Sequence, residues 1–592
     1  MKVLTALVLI TSLFRIDIVW AGVPIDMLWG NSEYHEHDTK KHVFRNYNWQ
    51  LEGWLRNDHA LMKKFESEEI PEQKKIVIIL KNLKDCKQEN WHEIMAVGIV
   101  CSQKRIKPFF VHCAQDPEYS ERLDIIMMPN GSIAVLNSIT NQLRNKYDFL
   151  EASIAIDGSY PDAKVKGHED KFIRAYLSEK ISESLTRNEE PVLFCTLFSY
   201  NAEKTLTLLQ SIKDKFGSNV RTGIGGQLVR VSPKTYQALS FIDHVGVGDA
   251  EVILESLLVG KKPYKEGYLQ LWGDRHYAPF SYENYLALND RLDEMNEYKF
   301  GPFSGFRQVV VESVRGCAWA YKTGRPCKMC SLESVDNIPI FKPLQEYFAT
   351  ENHLAERFGV NWVFDVSNQF IPIMGEENQG KWLSELLVAK KKYSRHDINK
   401  YVYLTSNSIS ERTAPLLRKV GVRICYIGFD GWDTTTRKAL NKPQSDPQKV
   451  LRLCRENDIY VRLGIVIGSG LNKQNVQELP KFAESIIGEF KGTILTWGNF
   501  LEIIMPGSRD WYELEEKARQ NGWQEVTDLY RFFYQKGYLT WPQQEKMTEL
   551  YIRLVQKADY DEVVAMWKKT IEIVRPHAIP ITFQDGGHLE KA

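Results

Sequence analysis

The sequence has little cysteine, no excess charge of either sign and no long apolar run. Nine of its 592 residues are cysteine, too few for a disulfide framework, which favours a reducing, cytoplasmic compartment. Lysine plus arginine and aspartate plus glutamate both number 76, so no overall field favours nucleic acid or an anionic membrane as a partner. No run reaches the roughly 18 consecutive apolar residues of a membrane-spanning helix. The length instead predicts several domains.

Residues 1–21 are the one segment that resembles a targeting signal. They combine an apolar run with a possible small-residue cleavage site, as a signal peptide would. Arg15 and Asp17 interrupt the run, and the alternation over 16–19 favours an ordinary first strand. We therefore expect a cytoplasmic protein, with an N-terminal region over 1–149 whose function no motif indicates.

Strand-like and helical patterns alternate between residues 150 and 265. The strand-like runs are at 152–156, 192–198, 220–225 and 244–247. Such alternation predicts a parallel sheet covered by helices on both faces, which is a Rossmann-like domain. Residues 266–305 are rich in turn-forming residues and are predicted to be a linker.

Six further strand–helix units follow between residues 306 and 510. Their strand-like runs are at 309–314, 362–366, 401–405, 424–429, 461–467 and 495–503. Consecutive units of this kind favour a partial, TIM-like (β/α)6 barrel of parallel strands, whose ligands bind at the carboxyl ends of the strands. Residues 511–592 are predicted to form a helical region that caps the barrel.

Cys317, Cys327 and Cys330 form a cluster at the end of the first strand of this second series. A structural zinc site needs a fourth ligand nearby, and the next histidine downstream, His353, lies beyond the usual spacing. An iron–sulfur cube held by three cysteines leaves one iron open to another ligand, which suits a reaction centre. A non-catalytic protein with structural zinc remains the alternative.

The cysteine segment resembles the cluster loop of radical S-adenosylmethionine (radical SAM) enzymes, in particular those that carry an N-terminal cobalamin-binding domain. The resemblance rests on Glu312-Ser313-x-Arg315-Gly316-Cys317 and on the later pair Cys327 and Cys330. It covers roughly residues 150 to 510. Further matching segments are at 225–226, 243–251, 364–370, 421–430, 441–443 and 464–468. The spacing of nine and then two residues between the cysteines differs from the family's usual three and two.

The resemblance implies a [4Fe–4S] cluster on the three cysteines, with S-adenosylmethionine (SAM) and cobalamin bound nearby. The residues implied to bind SAM are Asp365, Asn407, Asp430, Lys442 and Gly468. Those implied to bind cobalamin are Thr196, Ser199, Gly225, Gly226, Gly248 and Glu251. The family's Asp-x-His-x-x-Gly motif is absent, because Asp243-His244-Val245-Gly246 has the wrong spacing. Cobalt would then lack a histidine ligand, or the domain would bind no cobalamin.

The implied reaction is reductive cleavage of SAM to a 5′-deoxyadenosyl radical, which removes hydrogen from an unactivated carbon. In the cobalamin branch, C-methylation usually follows. We expect a small-molecule or peptide substrate, which no motif names, and an electron donor such as flavodoxin or ferredoxin. One alternative is a radical SAM enzyme without cobalamin, whose Rossmann-like domain binds substrate. The other is the non-catalytic zinc protein.

Overall fold

The structure is a computed structural model that describes most of the chain from residue 105 to residue 581. The described ranges are 105–113, 131–157, 170–199, 201–248, 250–259, 268–270, 298–300, 302–331 and 339–581. Residues 1–105 and 106–592 form separate compact units, and of the first only Arg105 is described. The candidate signal peptide and the predicted strand at 16–19 lie outside these ranges. No helix within them is both long and apolar enough to cross a membrane.

The first sheet has six parallel strands in the order β2-β1-β3-β4-β5-β6. Its elements are β1 Ile106–His112, α1 Gly131–Lys146, β2 Ile154–Asp157, α2 Asp170–Thr186, β3 Glu190–Thr196, α3 Ala202–Phe216, β4 Arg221–Gly225, α4 Gln227–Val231, α5 Pro233–Gln237, β5 His244–Val247, α6 Ala250–Val259 and β6 Tyr268–Gln270. The predicted parallel α/β domain is therefore confirmed. Its sheet includes β1 and β6, which lie on either side of the predicted range 150–265.

Both faces of this sheet are covered by helices, because side chains alternate along each strand. On β1, Phe109 joins a core with helices α2 and α3, whereas Phe110 joins a core with α1 and α6. A parallel strand buried on both faces needs a nearly continuous apolar sequence. This requirement explains the unbroken apolar run Val192-Leu193-Phe194-Cys195 on β3.

The second sheet has seven parallel strands, and their spatial order follows the chain. The strands are β9 Gln308–Val311, β12 Trp362–Asp365, β13 Asn399–Thr405, β14 Val422–Asp430, β15 Tyr460–Ile467, β16 Ile494–Leu501 and β17 Ile579–Ile581. Between them lie α8 Leu344–Phe358, α9 Glu376–Tyr393, α10 Thr413–Val420, α11 Thr434–Ala439, α12 Pro447–Glu456 and α13 Lys473–Phe490. All six predicted strands are present, and sequential order is what a partial barrel requires. Within the described residues no ladder joins β9 to β17, so the barrel itself stays a prediction.

Two short antiparallel pairs flank β9. The hairpin β7 Tyr298–Phe300 and β8 Phe303–Phe306 precedes it, and β10 Val314–Arg315 pairs with β11 Ile340–Phe341 after it. The Phe303 ring packs edge-on against Trp362 and Tyr460, with centroids 4.8 and 5.1 Å away. The hairpin therefore covers the amino ends of the second sheet and leaves the carboxyl ends for a site.

The C-terminal helices contact both sheets. They are α14 Arg509–Asn521, α15 Gln524–Lys536, α16 Trp541–Leu550, which continues as a π-helical turn Tyr551–Val555, and α17 Tyr560–Val574. Trp511 and Phe533 are buried in the core of the first sheet, and Tyr236 there donates to Gly537 O at 2.8 Å. Trp567 on α17 donates to Asn499 O on β16 at 2.8 Å. This region joins the two sheets in addition to covering the second.

Candidate functional site

The three cysteines lie on residues 312–331, here called the cysteine loop, which follows β9 at the carboxyl edge of the second sheet. Cys317 is the N-cap of a short helix, α7 Ala318–Thr323, which Gly324 ends at φ +71°. Positive φ of this kind favours glycine at a helix end. The unusual nine-residue spacing therefore contains a helix of its own. Trp319 on that helix donates to Asn441 O at 2.7 Å.

All three cysteines are partly accessible. The loop does not bring them into a ligating group, because no three Cys, His, Asp or Glu side chains among the described residues are close enough to hold a metal ion. Burial raises the pKa of Cys327, against the opposing charge of Lys442. Three cysteine thiols on one short loop match a [4Fe–4S] cluster in the kind and number of donors, and binding would require them to converge.

Asp430 and Lys442 form a buried ion pair beside the thiols. Asp430 ends β14 with φ +57°, and its carboxylate contacts the ammonium of Lys442. A Cβ on Gly428 would lie 2.8 Å from Asp430 Oδ2, so glycine there makes room for the carboxylate. Burial alone would lower the pKa of Lys442, but the charges of Asp430 and Cys327 outweigh it and raise that pKa. The cation therefore stays charged next to the cysteines.

Asp365 ends β12 and holds the start of the cysteine loop. Its Oδ1 accepts from Ser313 N at 3.2 Å and Ser367 N at 3.1 Å, and the Ser367 hydroxyl also donates to it. Ser367 Oγ in turn accepts from Val314 N at 2.7 Å. Burial raises the pKa of Asp365. Asp365 Oδ2 is buried and has no hydrogen-bond partner among the described residues, so one oxygen positions the loop and the other is not used in holding it.

Ser313 is also held from its other side, by Lys342. The Lys342 N–H donates to Ser313 O at 2.8 Å. Lys342 is 4% exposed, and burial lowers its pKa to about 8, against the raising charges of Glu346 and Glu312. The sequence offered no signal for this lysine, because its partners come from other segments.

Asn407 follows β13 in a single 3-10 turn, Ser406–Ser408. Its Oδ1 is buried and has no hydrogen-bond partner in the described part of the chain, and the same holds for Gln369 Oε1 nearby. The Gln369 amide instead donates to Thr405 Oγ1 and Ser408 Oγ, both at 3.1 Å. The ends of adjacent strands β12 and β13 thus present, at the same edge, acceptors that no described residue pairs with.

Gly468 follows β15 and faces Glu502 at the end of β16. A Cβ on Gly468 would lie 2.2 Å from Glu502 Oε2, so Glu502 fills the space that the glycine leaves. Burial and then the charge of Asp510 raise the pKa of Glu502 well above its usual range. Asp510 Oδ2 and both Glu502 oxygens are buried and have no hydrogen-bond partner among the described residues. A proton on Glu502 supplies a donor for the Asp510 carboxylate.

Asp510 also belongs to a buried network that reaches the cysteine loop. Lys328 Nζ, between Cys327 and Cys330 in sequence, lies 2.7 Å from Asp510 Oδ1 and 2.7 Å from the Tyr551 hydroxyl. Ser469, just after β15, hydrogen-bonds to Tyr551 at 2.9 Å. Sequence analysis missed Lys328, Asp510 and Tyr551, because only their tertiary contacts connect them.

The residues implied to bind cobalamin lie mainly at the carboxyl edge of the first sheet. Thr196, Gly225 and Gly248 end or follow β3, β4 and β5, which are adjacent and parallel. Gly226 has φ +111°, and a Cβ there would lie 2.7 Å from Leu197 O, so internal packing already accounts for that glycine. The side chain of Glu251 lies outside the description.

A cavity with about 280 Å³ of empty space, part of it open to solvent, lies at this edge. Ser199, Leu228 and Met505 are among its lining residues. Because that figure includes space open to solvent, the enclosed cavity is far smaller than the roughly 300–1,000 Å³ of a typical ligand pocket. The loops after β1 and β2 lie outside the described residues, and the described residues alone do not form a corrin site.

Asp243 and His244 lie at the opposite, amino edge of the first sheet. Asp243 binds Lys213 Nζ at 2.5 Å and accepts from Thr222 N at 2.8 Å. His244 begins β5, and burial lowers its pKa. This placement agrees with the absence of a cobalt-binding histidine motif.

A hydrogen bond links the two candidate edges. Gln227, directly after Gly226, donates from Nε2 to Ser331 Oγ at 2.6 Å, and Ser331 directly follows Cys330. The glycine edge of the first sheet therefore contacts the end of the cysteine loop.

No protein-family model matches the sequence, and no curated protein matches it. The structure is similar to that of the radical S-adenosylmethionine methyltransferase TsrM from Kitasatospora setae, with a TM-score of 0.49 and 13% identity over 70% of this chain and 76% of that one. It is also similar to the cobalamin-dependent S-adenosylmethionine radical enzyme OxsB, with a TM-score of 0.48 and 13% identity over 79% of this chain and 63% of that one. Methylornithine synthase PylB matches at a TM-score of 0.26 and 12% identity, over 51% of this chain and 78% of that one. These values describe a likeness of fold and decide no activity.

Proposed function

We propose that the chain is a radical SAM enzyme whose cysteine loop holds a [4Fe–4S] cluster through Cys317, Cys327 and Cys330. The observation that supports the proposal is the placement of three partly accessible cysteines at the carboxyl edge of a sequential parallel sheet. Ligands of such sheets bind at this edge. The same proposal includes that the second sheet curves into a partial barrel.

The neighbouring strand ends offer polar groups for SAM. Asp365 Oδ2 and Asn407 Oδ1 are buried acceptors that no described residue pairs with, and each such atom costs about 1–3 kcal/mol if it stays unpaired. Asp430 and Lys442 add a carboxylate and a cation within the same edge. Together they match a ligand that carries an ammonium, a carboxylate and ribose hydroxyls.

When bound and reduced, a [4Fe–4S] cluster of this kind supplies the electron that cleaves SAM to a 5′-deoxyadenosyl radical. The chain's own residues orient the cysteine loop and exclude water from the site. Asp365 and Ser367 fix the loop ahead of Cys317, Lys442 keeps a positive charge beside Cys327, and the buried strand ends exclude water. Exclusion of water protects reactive intermediates from side reactions.

The test is anaerobic reconstitution of the full chain with iron and sulfide. We expect about four irons and four sulfides per chain, and formation of 5′-deoxyadenosine from SAM under reducing conditions. Cys327→Ala and Cys330→Ala should each lose the cluster. Cys195→Ala, a change at a thiol buried in the first sheet, is the matched control and should retain it. One zinc per chain without iron would overturn the proposal.

Cobalamin-dependent C-methylation is the narrower candidate, and the observation that favours it is the contact between Gln227 and Ser331. The described edge alone does not form a corrin site, so the proposed reaction includes no step on cobalamin. Reconstitution with hydroxocobalamin distinguishes the two branches. A stoichiometric corrinoid spectrum would support methylation, whereas its absence at saturating hydroxocobalamin would favour a first sheet that binds substrate.

A further inference from the structure

Residue 328 is the fixed centre of the turn between two of the three thiols. Its N–H donates to Leu440 O at 3.0 Å, and its carbonyl accepts from Arg509 N at 3.0 Å. Cys330 N donates to Cys327 O at 3.0 Å and closes the turn. Segments distant in sequence therefore hold the turn through its backbone on both sides.

The Lys328 side chain extends the same attachment into the C-terminal helices. Its Nζ lies 2.7 Å from Asp510 Oδ1, 2.6 Å from Glu513 Oε2 and 2.7 Å from the Tyr551 hydroxyl. Asp510 is fully buried, and the Lys328 side chain is 17% exposed. Contacts to charged groups at such depth are strongly directional because little water competes for them.

The acceptors themselves are rigidly placed. The Tyr551 hydroxyl also donates to Asp510 and accepts from Gln556 Nε2 at 2.9 Å. It lies in the π-helical turn that continues α16, and π-helical turns are frequent at functional sites. Ser469, at the carboxyl end of β15, bonds to the same hydroxyl at 2.9 Å. The network thus ties the cysteine loop to a sheet strand and to two helical segments.

We propose that Lys328 is a positioning residue, which sets the spacing and direction of Cys327 and Cys330 by anchoring the turn between them to Asp510, Glu513 and Tyr551. The C-terminal helices, which the sequence predicts only as a cap, thereby shape the cysteine loop. The consequence for cluster binding rests on the proposed function, whereas the positioning of the turn does not.

Hydrogen exchange of the metal-free full chain tests the positioning directly. The amides of residues 328 and 330 are protected by Leu440 O and Cys327 O. In Lys328→Met we expect exchange in a peptide covering 324–331 to rise about tenfold, because loss of the side-chain anchor lets the turn open. Lys328→Arg, which keeps the charge, should restore most of the protection.

Lys546→Met is the matched control, since Lys546 lies on α16 and forms ion pairs at 3.2 Å with both Glu525 and Glu549. Peptides from β14 report whether a variant remains folded. If Lys328→Met remains folded and its 324–331 peptide exchanges at the same rate as in the wild type, the proposal is overturned. If Lys328→Met loses protection in β14 as well, Tyr551→Phe serves as the second test, because it keeps the ion pair of Lys328. In Tyr551→Phe, exchange at 324–331 should rise while β14 stays protected. Unchanged exchange there would also overturn the proposal.

Reconstitution adds a readout that stability alone does not change. A folded Lys328→Met protein should bind less iron than wild type and show an altered electron paramagnetic resonance spectrum, with Lys328→Arg intermediate. Wild-type protein that binds no iron would overturn the proposed function and leave the exchange result standing. Unaltered iron content and spectrum in Lys328→Met would show that the turn needs no such anchor to bind the cluster.

Discussion

At the scale of residues, the strand ends hold the cysteine loop as much as they offer groups to a ligand. Asp365 Oδ1 accepts from the backbone of the loop, whereas Oδ2 has no partner within the residues that the structure describes. Gly468 contributes space that Glu502 occupies. A residue that resembles a binding residue in sequence can therefore act by positioning its neighbours.

The buried pair Asp430–Lys442 gives a stability prediction. Lys442→Met leaves the Asp430 carboxylate buried without its cation, and breaking such a pair costs about 3–5 kcal/mol. Urea denaturation of the metal-free protein should show a loss in this range. Lys449→Met removes an exposed partner of Glu411 at 3.0 Å and should cost at most about 1 kcal/mol. Equal losses in the two variants would mean that the buried pair adds no stability.

Sequence reasoning located the cysteines because their spacing is local and their chemistry is distinctive. It also placed Asp365, Asn407 and Asp430 at strand ends, which follows from the alternation of strands and helices. It did not find Lys328, which looks like any lysine until the fold brings Asp510 and Tyr551 to it. Contacts between residues far apart in sequence leave no periodic pattern, so no reading of a single chain could supply them.

At the scale of elements, the parallel strands of both sheets were predictable from apolar runs, because a strand buried on both faces needs them. The additional strand β6 was harder to predict, since Tyr268–Gln270 is short and lies in a turn-rich stretch. The helix α7 was missed for a similar reason. Six residues are too few to show a helical period.

The ends of β16 and α14 give a prediction about pH. Burial raises the folded-state pKa of Glu502, whereas in the unfolded chain Glu titrates near about 4.3. The folded state therefore holds an additional proton above that pH, and this group's stabilising effect is lost as pH rises towards its folded pKa. In Glu502→Gln the free energy of unfolding should fall less between about pH 5 and pH 8 than in wild type.

Urea midpoints measured across that range check the expectation. Asp510, whose pKa is lowered by hydrogen bonds and by Lys328 in spite of burial, acts in the opposite sense and loses its contribution as pH falls through its folded pKa. Asp510 therefore changes the free energy of unfolding only at acidic pH. Parallel pH curves for wild type and Glu502→Gln between about pH 5 and pH 8 would contradict the assignment of a protonated Glu502.

At the scale of the whole molecule, the C-terminal helices make the two sheets interdependent. Phe533 on α15 is 1% exposed in the core of the first sheet, and α17 packs on the second. Phe533→Ala should cost about 3–5 kcal/mol. Because the same helical region contacts both cores, we expect both sheets to unfold at a lower urea concentration.

Buried thiols in each sheet provide the measurement. Cys195 is buried in the first sheet and Cys425 in the second, so labelling at increasing urea reports each one separately. The two should become reactive together in wild type and in Phe533→Ala. Exposure of Cys195 well before Cys425 would show that the sheets unfold independently.

The attachment of Lys328 to Asp510 and Tyr551 also constrains when the site can form during synthesis. The ribosome delivers the cysteines long before residue 551, and domains near the amino terminus can begin to fold as they emerge. The turn at residue 328 gains its side-chain partners only after α14 and the π-helical turn have been made and packed. Under the proposed function, iron loading would therefore come after translation, and a truncated chain would be left without its cofactor.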